Sequence, residues 1–325
     1  MVLYWIVPAL ISFVFCGIYS ISRKGIFDTP NERSLHEQIT KKGGGVFVMA
    51  TSFLCFSLFS IEVPKPLYAV FLFLGIGLWD DWKNVSFSLR LFLETILIGI
   101  LIVWMQPNLS ILGFSPNPWI LIPITVVTIV FLINLVNFMD GMDTYSGFHF
   151  FYFALAIPCF SSESFFFGEK DFPLLMIFLS SVSGFLFWNF PKAKLFLGDS
   201  GSLSIGFLFA ILPLLAPKFD LCFYFYLFPV YLVDGFWTIV LRLVQKKNIF
   251  EAHREHLYQK AFQLWKKPTL ISLVAISLNG IVFFFGYFSP VFTSYPINCL
   301  FLALGFSVLY FCLFLVFRYL EKRRA

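Results

Sequence analysis

The chain has 325 residues, of which 59% are hydrophobic and only 13% charged, with a formal net charge of +5 and a positive mean hydropathy. That balance excludes a water-soluble globular domain and gives no sign of a nucleic-acid partner; the chain belongs in a bilayer. A spanning helix takes about 17 to 25 mostly apolar residues, so there is room for roughly ten in a single membrane-embedded domain over 1–325.

Apolar runs bounded by charge, proline or glycine place spans at 2–21, 46–61, 67–79, 88–105, 118–136, 145–160, 173–188, 202–216, 221–243, 269–288 and 297–317. Two long apolar stretches are split, at Glu62-Val63-Pro64-Lys65-Pro66 and at Pro217-Lys218-Phe219-Asp220, because charge beside proline is costly within hydrocarbon. The first run has no basic n-region and no small-residue cleavage site, so it reads as a retained helix. The six cysteines fall in or beside apolar runs without a C-x-x-C pair and read as packing residues.

Eleven spans alternate the loops between two faces, and the alternation agrees with the charges. Twenty of the 23 Lys and Arg fall in loops 22–45, 80–90, 189–201 and 242–268 and in the tail from Arg318, whereas the opposite loops hold only Lys65, Lys170 and Lys218. Basic residues collect on the cytoplasmic side. The expected fold is an all-α polytopic bundle of about eleven transmembrane helices, with its N-terminus outside and its C-terminus cytoplasmic.

The unusual polar residues fall in loops of that same face. Asp80 and Asp81 end an apolar helix as adjacent carboxylates, which either cap a solvated helix end or hold Mg²⁺, a hard cation suited to phosphates. Asn134, Asn137, Asp140 and Asp143 repeat every third residue, making a polar stripe or a capped helix end. In 189–202, Lys192 and Lys194 supply cations, Gly198 and Gly201 flexibility, and the next helix free N–H groups, as a phosphate-handling loop would; an N-cap and a topology signal are the plainer alternatives. His253-Arg254-Glu255-His256 lies in the most basic loop and reads better as a diphosphate clamp than as a zinc site, although a solvated amphipathic helix also explains it. Asp234 and Glu94 lie inside apolar runs, where an acid marks a site or a local polar partner. Interrupted helices and these acids would also suit an ion-coupled transporter, but the sequence has no internal repeat and most of its acids cluster at one face.

Taken together, Phe27 to His36, Gly43-Gly44-Gly45, Asp80-Asp81, Asn134 to Gly147, Ala193 to Gly206 and His253 to Gln259 resemble, in order and spacing, the polyprenyl-phosphate N-acetylhexosamine-1-phosphate transferases of glycosyltransferase family 4. The branch that starts O-antigen-type glycans from UDP-N-acetyl-fucosamine, quinovosamine or glucosamine is the nearer match, and the muramoyl-pentapeptide branch the weaker. The resemblance implies a multi-pass enzyme of the bacterial inner membrane with its site facing the cytoplasm, a UDP-N-acetylhexosamine donor, a polyprenyl phosphate acceptor, Mg²⁺ and a possible homodimer. It implies catalytic roles for Asp80, Asp81 and Asp199, with Asp81 and Asp199 on the metal. It puts Phe196 on the uracil, and Asn134, Asn137, Asp140 and Asp143 near the nucleoside. Lys42, Lys194, His253, Arg254 and His256 would then meet phosphate or sugar, with His36 and Asp234 on the acceptor side or structural. The chain departs from the family in reading Ile39-Thr40-Lys41-Lys42 where Pro-Thr-Pro-Arg is usual, and Thr144-Tyr145 where Gly-Leu is usual.

Overall fold

The computed structural model describes residues 2–30, 34–159, 172–248, 253–288 and 296–324. Positions 31–33 of the first motif, Lys170 and Ala252 lie outside the described residues. The chain builds α1 (Val2–Ile21), α2 (Gly44–Leu58), α3 (Val70–Lys83), α4 (Phe87–Met105), α5 (Pro118–Phe138), α6 (Tyr145–Cys159) and α7 (Phe172–Asn189). After these come α8 (Asp199–Ile211), α9 (Tyr224–Leu227), α10 (Pro229–Val244), α11 (Leu257–Trp265), α12 (Pro268–Phe288) and α13 (Pro296–Arg324).

Each expected span coincides with helix, yet among the described residues only six helices are long and apolar enough to cross a membrane, or seven if one bent pair counts as a span. That pair is the run expected at 221–243. Leu221–Leu227 and Pro229–Val244 meet at 103° because Pro229 donates no hydrogen bond and Phe228 leaves helical geometry at φ −127°, ψ 40°. Asn279 of α12 accepts the Val230 N–H at 3.0 Å, satisfying a backbone donor at the break.

Helix α8 is the centre of the bundle. Every residue from Ser200 to Ile211 is buried, as befits a helix that is apolar all round. It packs on α2, α3 and α5. At the crossing with α3 the backbones nearly touch: a Cβ on Gly77 would lie 2.3 Å from the Asp199 carbonyl oxygen. Against α2, one on Gly45 would lie 2.0 Å from the Gly201 Cα.

The body is helical, but two small sheets, which apolar periodicity did not predict, tie the loops at either end. At one end β1 (Ile26–Asp28) pairs antiparallel with β2 (Thr40–Lys42), which pairs in parallel with β4 (Leu195–Phe196). At the other end β3 (Leu109–Ser110) pairs with β5 (Phe219–Asp220). There the Asp220 carboxylate accepts the Ser110 hydroxyl and the Gly113 N–H, each at 2.7 Å. Strands of two or three residues show no alternation long enough to be read.

The α3–α8 crossing yields a direct expectation. The obstacle to a side chain at Gly77 is backbone, which cannot rotate aside, so Gly77→Ala lowers stability by about 1–3 kcal/mol, read as a reduced melting temperature of the purified protein in detergent.

Candidate functional site

The polar loops converge on one cavity of about 300 Å³, at the end of the bundle that holds the three-stranded sheet. Its construction starts at the N-terminus of α8. The N-cap residue, Gly198, has φ +79° and offers no side-chain cap, so the first amides of α8 need an acceptor from elsewhere. Asp81, in the last turn of α3, supplies it: its two carboxylate oxygens accept the Asp199 and Ser200 N–H groups, each at 3.0 Å. A Cβ at 198 would stand 2.8 Å from that carboxylate. Gly198 therefore serves close approach and a left-handed turn, not the flexibility expected of it.

Asp199 points into the cavity from the first turn of α8. Its Oδ1 accepts from Asn137 Nδ2 at 2.5 Å, and Asn137 also donates to Ser202 Oγ at 2.8 Å. Lys42 reaches Asp81 from β2 at 3.4 Å. Strand alternation separates it from Lys41, whose ammonium turns away to the Tyr19 carbonyl, at 2.7 Å, and the Ser22 hydroxyl. The parallel register sets Lys42 opposite Phe196, whose ring meets the edge of His36 at 4.8 Å between centroids. His36 is held by Asp28 at 3.0 Å and by the Gln38 carbonyl at 2.9 Å. Asp140 and Asp143 line the opposite wall from the α5–α6 turn, and Asp143 accepts the Ala193 N–H at 3.1 Å.

Among the cavity-lining residues five carboxylates, Asp28, Asp81, Asp140, Asp143 and Asp199, face a single lysine, Lys42. Asp140 is half-buried in the cavity wall. That burial, with repulsion from Asp199, Asp81 and Asp143, pushes its pKa up to about 8 against a hydrogen bond from Ser146. Burial raises Asp143 as well. Such a cavity resists carrying all its charges until a cation enters. Among the described residues no three His, Cys, Asp or Glu side chains converge as a complete protein shell. Mg²⁺ does not need one, since it is commonly held by one or two carboxylates plus water and substrate phosphates. Asp81 and Asp199 fit that donor set.

Several expected site residues lie elsewhere. Asp80 is turned out of the cavity by Arg90, at 2.5 Å, and by the Val85 N–H, at 2.8 Å. Asn134 belongs to α5, not to the following loop; it is buried and donates to Glu94 and to the Val130 carbonyl, away from the cavity. Lys194 is exposed, its ammonium 5.8 Å from the centroid of the Trp188 ring. Arg254 donates to the carbonyl of Ser34, a cavity-lining residue, at 2.6 Å. His256 caps α11 and lies 3.3 Å from Asp234. Burial, helped by His256 and Arg242, lowers the His253 pKa to about 4, leaving it neutral near pH 7. His253, Arg254 and His256 each contact groups of the protein itself.

The residue that the sequence did not single out is Arg90, noted only as one loop cation. It is buried in the first turn of α4, 3.8 Å from Asp199 and 3.6 Å from Glu94 besides its contact with Asp80, and it donates to Asn137 Oδ1 at 3.4 Å. The pairing with Glu94 follows i,i+4 spacing and was legible; the pairings with Asp80 and Asp199 come from three helices meeting. Arg90→Met leaves several buried carboxylates uncompensated, so we expect a stability loss of about 3–5 kcal/mol in thermal unfolding, together with loss of activity.

The sequence matches known proteins over most of its length. The profile of glycosyl transferase family 4 matches residues 63–216, the stretch that carries Asp80, Asp81, Asn137, Asp140, Asp143 and Asp199. The undecaprenyl-phosphate alpha-N-acetylglucosaminyl 1-phosphate transferase of Thermotoga maritima is 31% identical over 83% of this chain and 85% of its own length. A probable undecaprenyl-phosphate N-acetylglucosaminyl 1-phosphate transferase of Bacillus subtilis is 26% identical over 80% of this chain and 75% of its own. The phospho-N-acetylmuramoyl-pentapeptide-transferase of Fervidobacterium nodosum is 24% identical over 78% and 86%. With an all-α membrane body, an acid-lined cavity and relatives matched along most of its length, the chain belongs to glycosyl transferase family 4 and is a polyprenyl-phosphate sugar-1-phosphate transferase by type.

Proposed function

We propose that the protein transfers an N-acetylhexosamine 1-phosphate from a UDP-sugar to a polyprenyl phosphate at the cytoplasmic face of a bacterial inner membrane, starting a cell-surface polysaccharide. The carrying observation is the acid-rich cavity, in which Asp81 and Asp199 meet at the N-terminus of α8 beside Lys42 and Phe196. A nucleotide sugar is confined to water and a polyprenyl tail to lipid, so the reaction needs a polar cleft at the end of a membrane bundle. The basic loops 22–45, 189–201 and 242–268 all contribute to the wall of that cavity or to its supports, which under the positive-inside rule favours an inward-facing site.

In this reading Phe196 stacks on the uracil, and Asn137, Asp140 and Asp143 surround the nucleoside. Lys42 meets the diphosphate. Asp81 and Asp199 would hold Mg²⁺, which when bound supplies neutralisation of phosphate charge. A phosphate oxygen of the lipid attacks the sugar-bearing β-phosphorus; the bond from that phosphorus to the bridging oxygen breaks, and the electron pair leaves on UMP. Phosphoryl transfer of this kind depends chiefly on positioning and electrostatics. The acceptor's second pKa is near 6, so it is already largely dianionic at neutral pH and a general base is dispensable. Asp80, turned away and paired with Arg90, then serves to orient Arg90 and Asp199 instead of taking a proton. The relatives' names include both N-acetylglucosaminyl and muramoyl-pentapeptide transfer; the nearer resemblance of the His253 to Gln259 segment favours the unsubstituted N-acetylhexosamine.

The test is UMP release by the purified protein from UDP-N-acetyl-glucosamine, fucosamine, quinovosamine and UDP-muramoyl-pentapeptide, with undecaprenyl phosphate. Release that needs both lipid and Mg²⁺ supports the reading and names the donor; silence from folded protein across the panel rejects it. Asp81→Asn and Asp199→Asn each lower kcat by at least about a hundredfold, the scale of losing a preorganised electrostatic contact. Phe196→Ala raises the donor KM while leaving the acceptor KM unchanged.

A further inference from the structure

The acid at Asp234 and the helix that follows the basic loop acquire a joint role from their contacts. Asp234 is 1% exposed and sits in α10, ten residues before the end of that helix. Its carboxylate accepts the first amide of α11, Leu257 N–H, at 2.9 Å, and Tyr258 N–H at 3.4 Å. Thr238 and Tyr310 donate hydroxyls to it, each at 3.2 Å, and the His256 ring lies at 3.3 Å. One buried carboxylate therefore fixes the start of α11 against both α10 and α13.

What α11 does with that fixed start is visible at Tyr258. Its ring stacks on Tyr145 at 4.5 Å and 16°, and its hydroxyl donates to the Phe138 carbonyl at 3.2 Å. Gly141 lies directly against the same hydroxyl. The hydroxyl thus spans the turn from Phe138 to Gly141, on which Asp140 is mounted with Asp143 immediately beyond. The fit leaves no spare room: a Cβ at Gly141 would lie 2.5 Å from that oxygen. Neither Asp234 nor Tyr258 lines the cavity, whereas Asp140, Gly141 and Asp143 do.

We propose that Asp234 and Tyr258 are positioning residues for the nucleoside wall: Asp234 sets the first turn of α11, and the Tyr258 hydroxyl then holds the Phe138–Gly141 turn so that Asp140 and Asp143 face the donor. The inference rests on the reading that this wall takes the nucleoside of a UDP-sugar. Tyr258→Phe keeps the ring stack and deletes only the bridging oxygen. It is expected to raise the donor KM about three- to tenfold, the range of one lost hydrogen bond, with acceptor KM, kcat and melting temperature close to wild type. Asp234→Asn gives the same donor-selective defect, and larger, since it loosens the whole first turn. A double-mutant cycle supplies a signature that general destabilisation would not produce. Gly141→Ala clashes with the Tyr258 hydroxyl, so its effect on the donor KM shrinks once Tyr258→Phe has removed that oxygen. An unchanged donor KM in Tyr258→Phe, an equal rise in donor and acceptor KM, or strict additivity with Gly141→Ala overturns the inference. Inactive wild-type protein would instead remove the functional reading beneath it, whereas active wild type with an insensitive variant removes the inference alone.

Discussion

The structure depends first on the contact between the Asp81 carboxylate and the N-terminus of α8. Both of its oxygens are taken by the amides of Asp199 and Ser200, and its side chain is wholly inaccessible to solvent. A carboxylate so placed gains charge-assisted hydrogen bonds and the positive end of the helix dipole. These offset a desolvation cost that an unpaired buried acid could not meet. The contact orders three things together. It starts the central helix, it brings α3 close enough that only glycine fits at Gly77, and it sets Asp199 beside Asp81 at the cavity floor. The side chain for which the metal role is proposed is thus also the one that starts α8.

Around that contact the electrostatics follow a division of labour. Arg90 and Lys42 approach the acids from different sides, the first buried among Asp80, Glu94 and Asp199, the second reaching Asp81 from β2. Arg90 compensates carboxylates that would otherwise be stranded in the bundle. It leaves the cavity itself acid-rich, and an acid-rich cavity accepts a diphosphate only together with cations. Two helices, α8 and α11, are capped by acids from other helices, Asp81 and Asp234. Capping in trans fixes the α8 start by tertiary packing instead of by its own preceding residue, whereas at α11 it adds to the local His256 cap.

The basic segment before α11 is tied to the rest of the protein by its own side chains. Arg254 holds the Ser34 carbonyl and His256 lies against Asp234. Glu255 pairs with Arg242 and Lys247. The cavity lining from this part of the chain comes from the following helix and beyond, through Gln259, Phe262 and Pro268.

From the sequence alone came the membrane body, the helices and their punctuation, the convergence of the polar loops on one end, and the residues Lys42, Asp81, Asn137, Asp140, Asp143, Phe196 and Asp199 that line the cavity. These were legible because apolar runs are long, and because polar residues are conspicuous where burial would otherwise be costly. Tertiary structure decided the rest. It sent adjacent Asp80 and Asp81 in opposite directions, to Arg90 and to the α8 amides, since neighbouring residues on a helix point about 100° apart and only the packing says what each one meets. It paired strands too short to show a period, broke the 221–243 run into two helices, and turned Asn134 inward to Glu94. All of these depend on partners distant in the chain, and a linear pattern carries residue types and spacings but not which buried group will answer which.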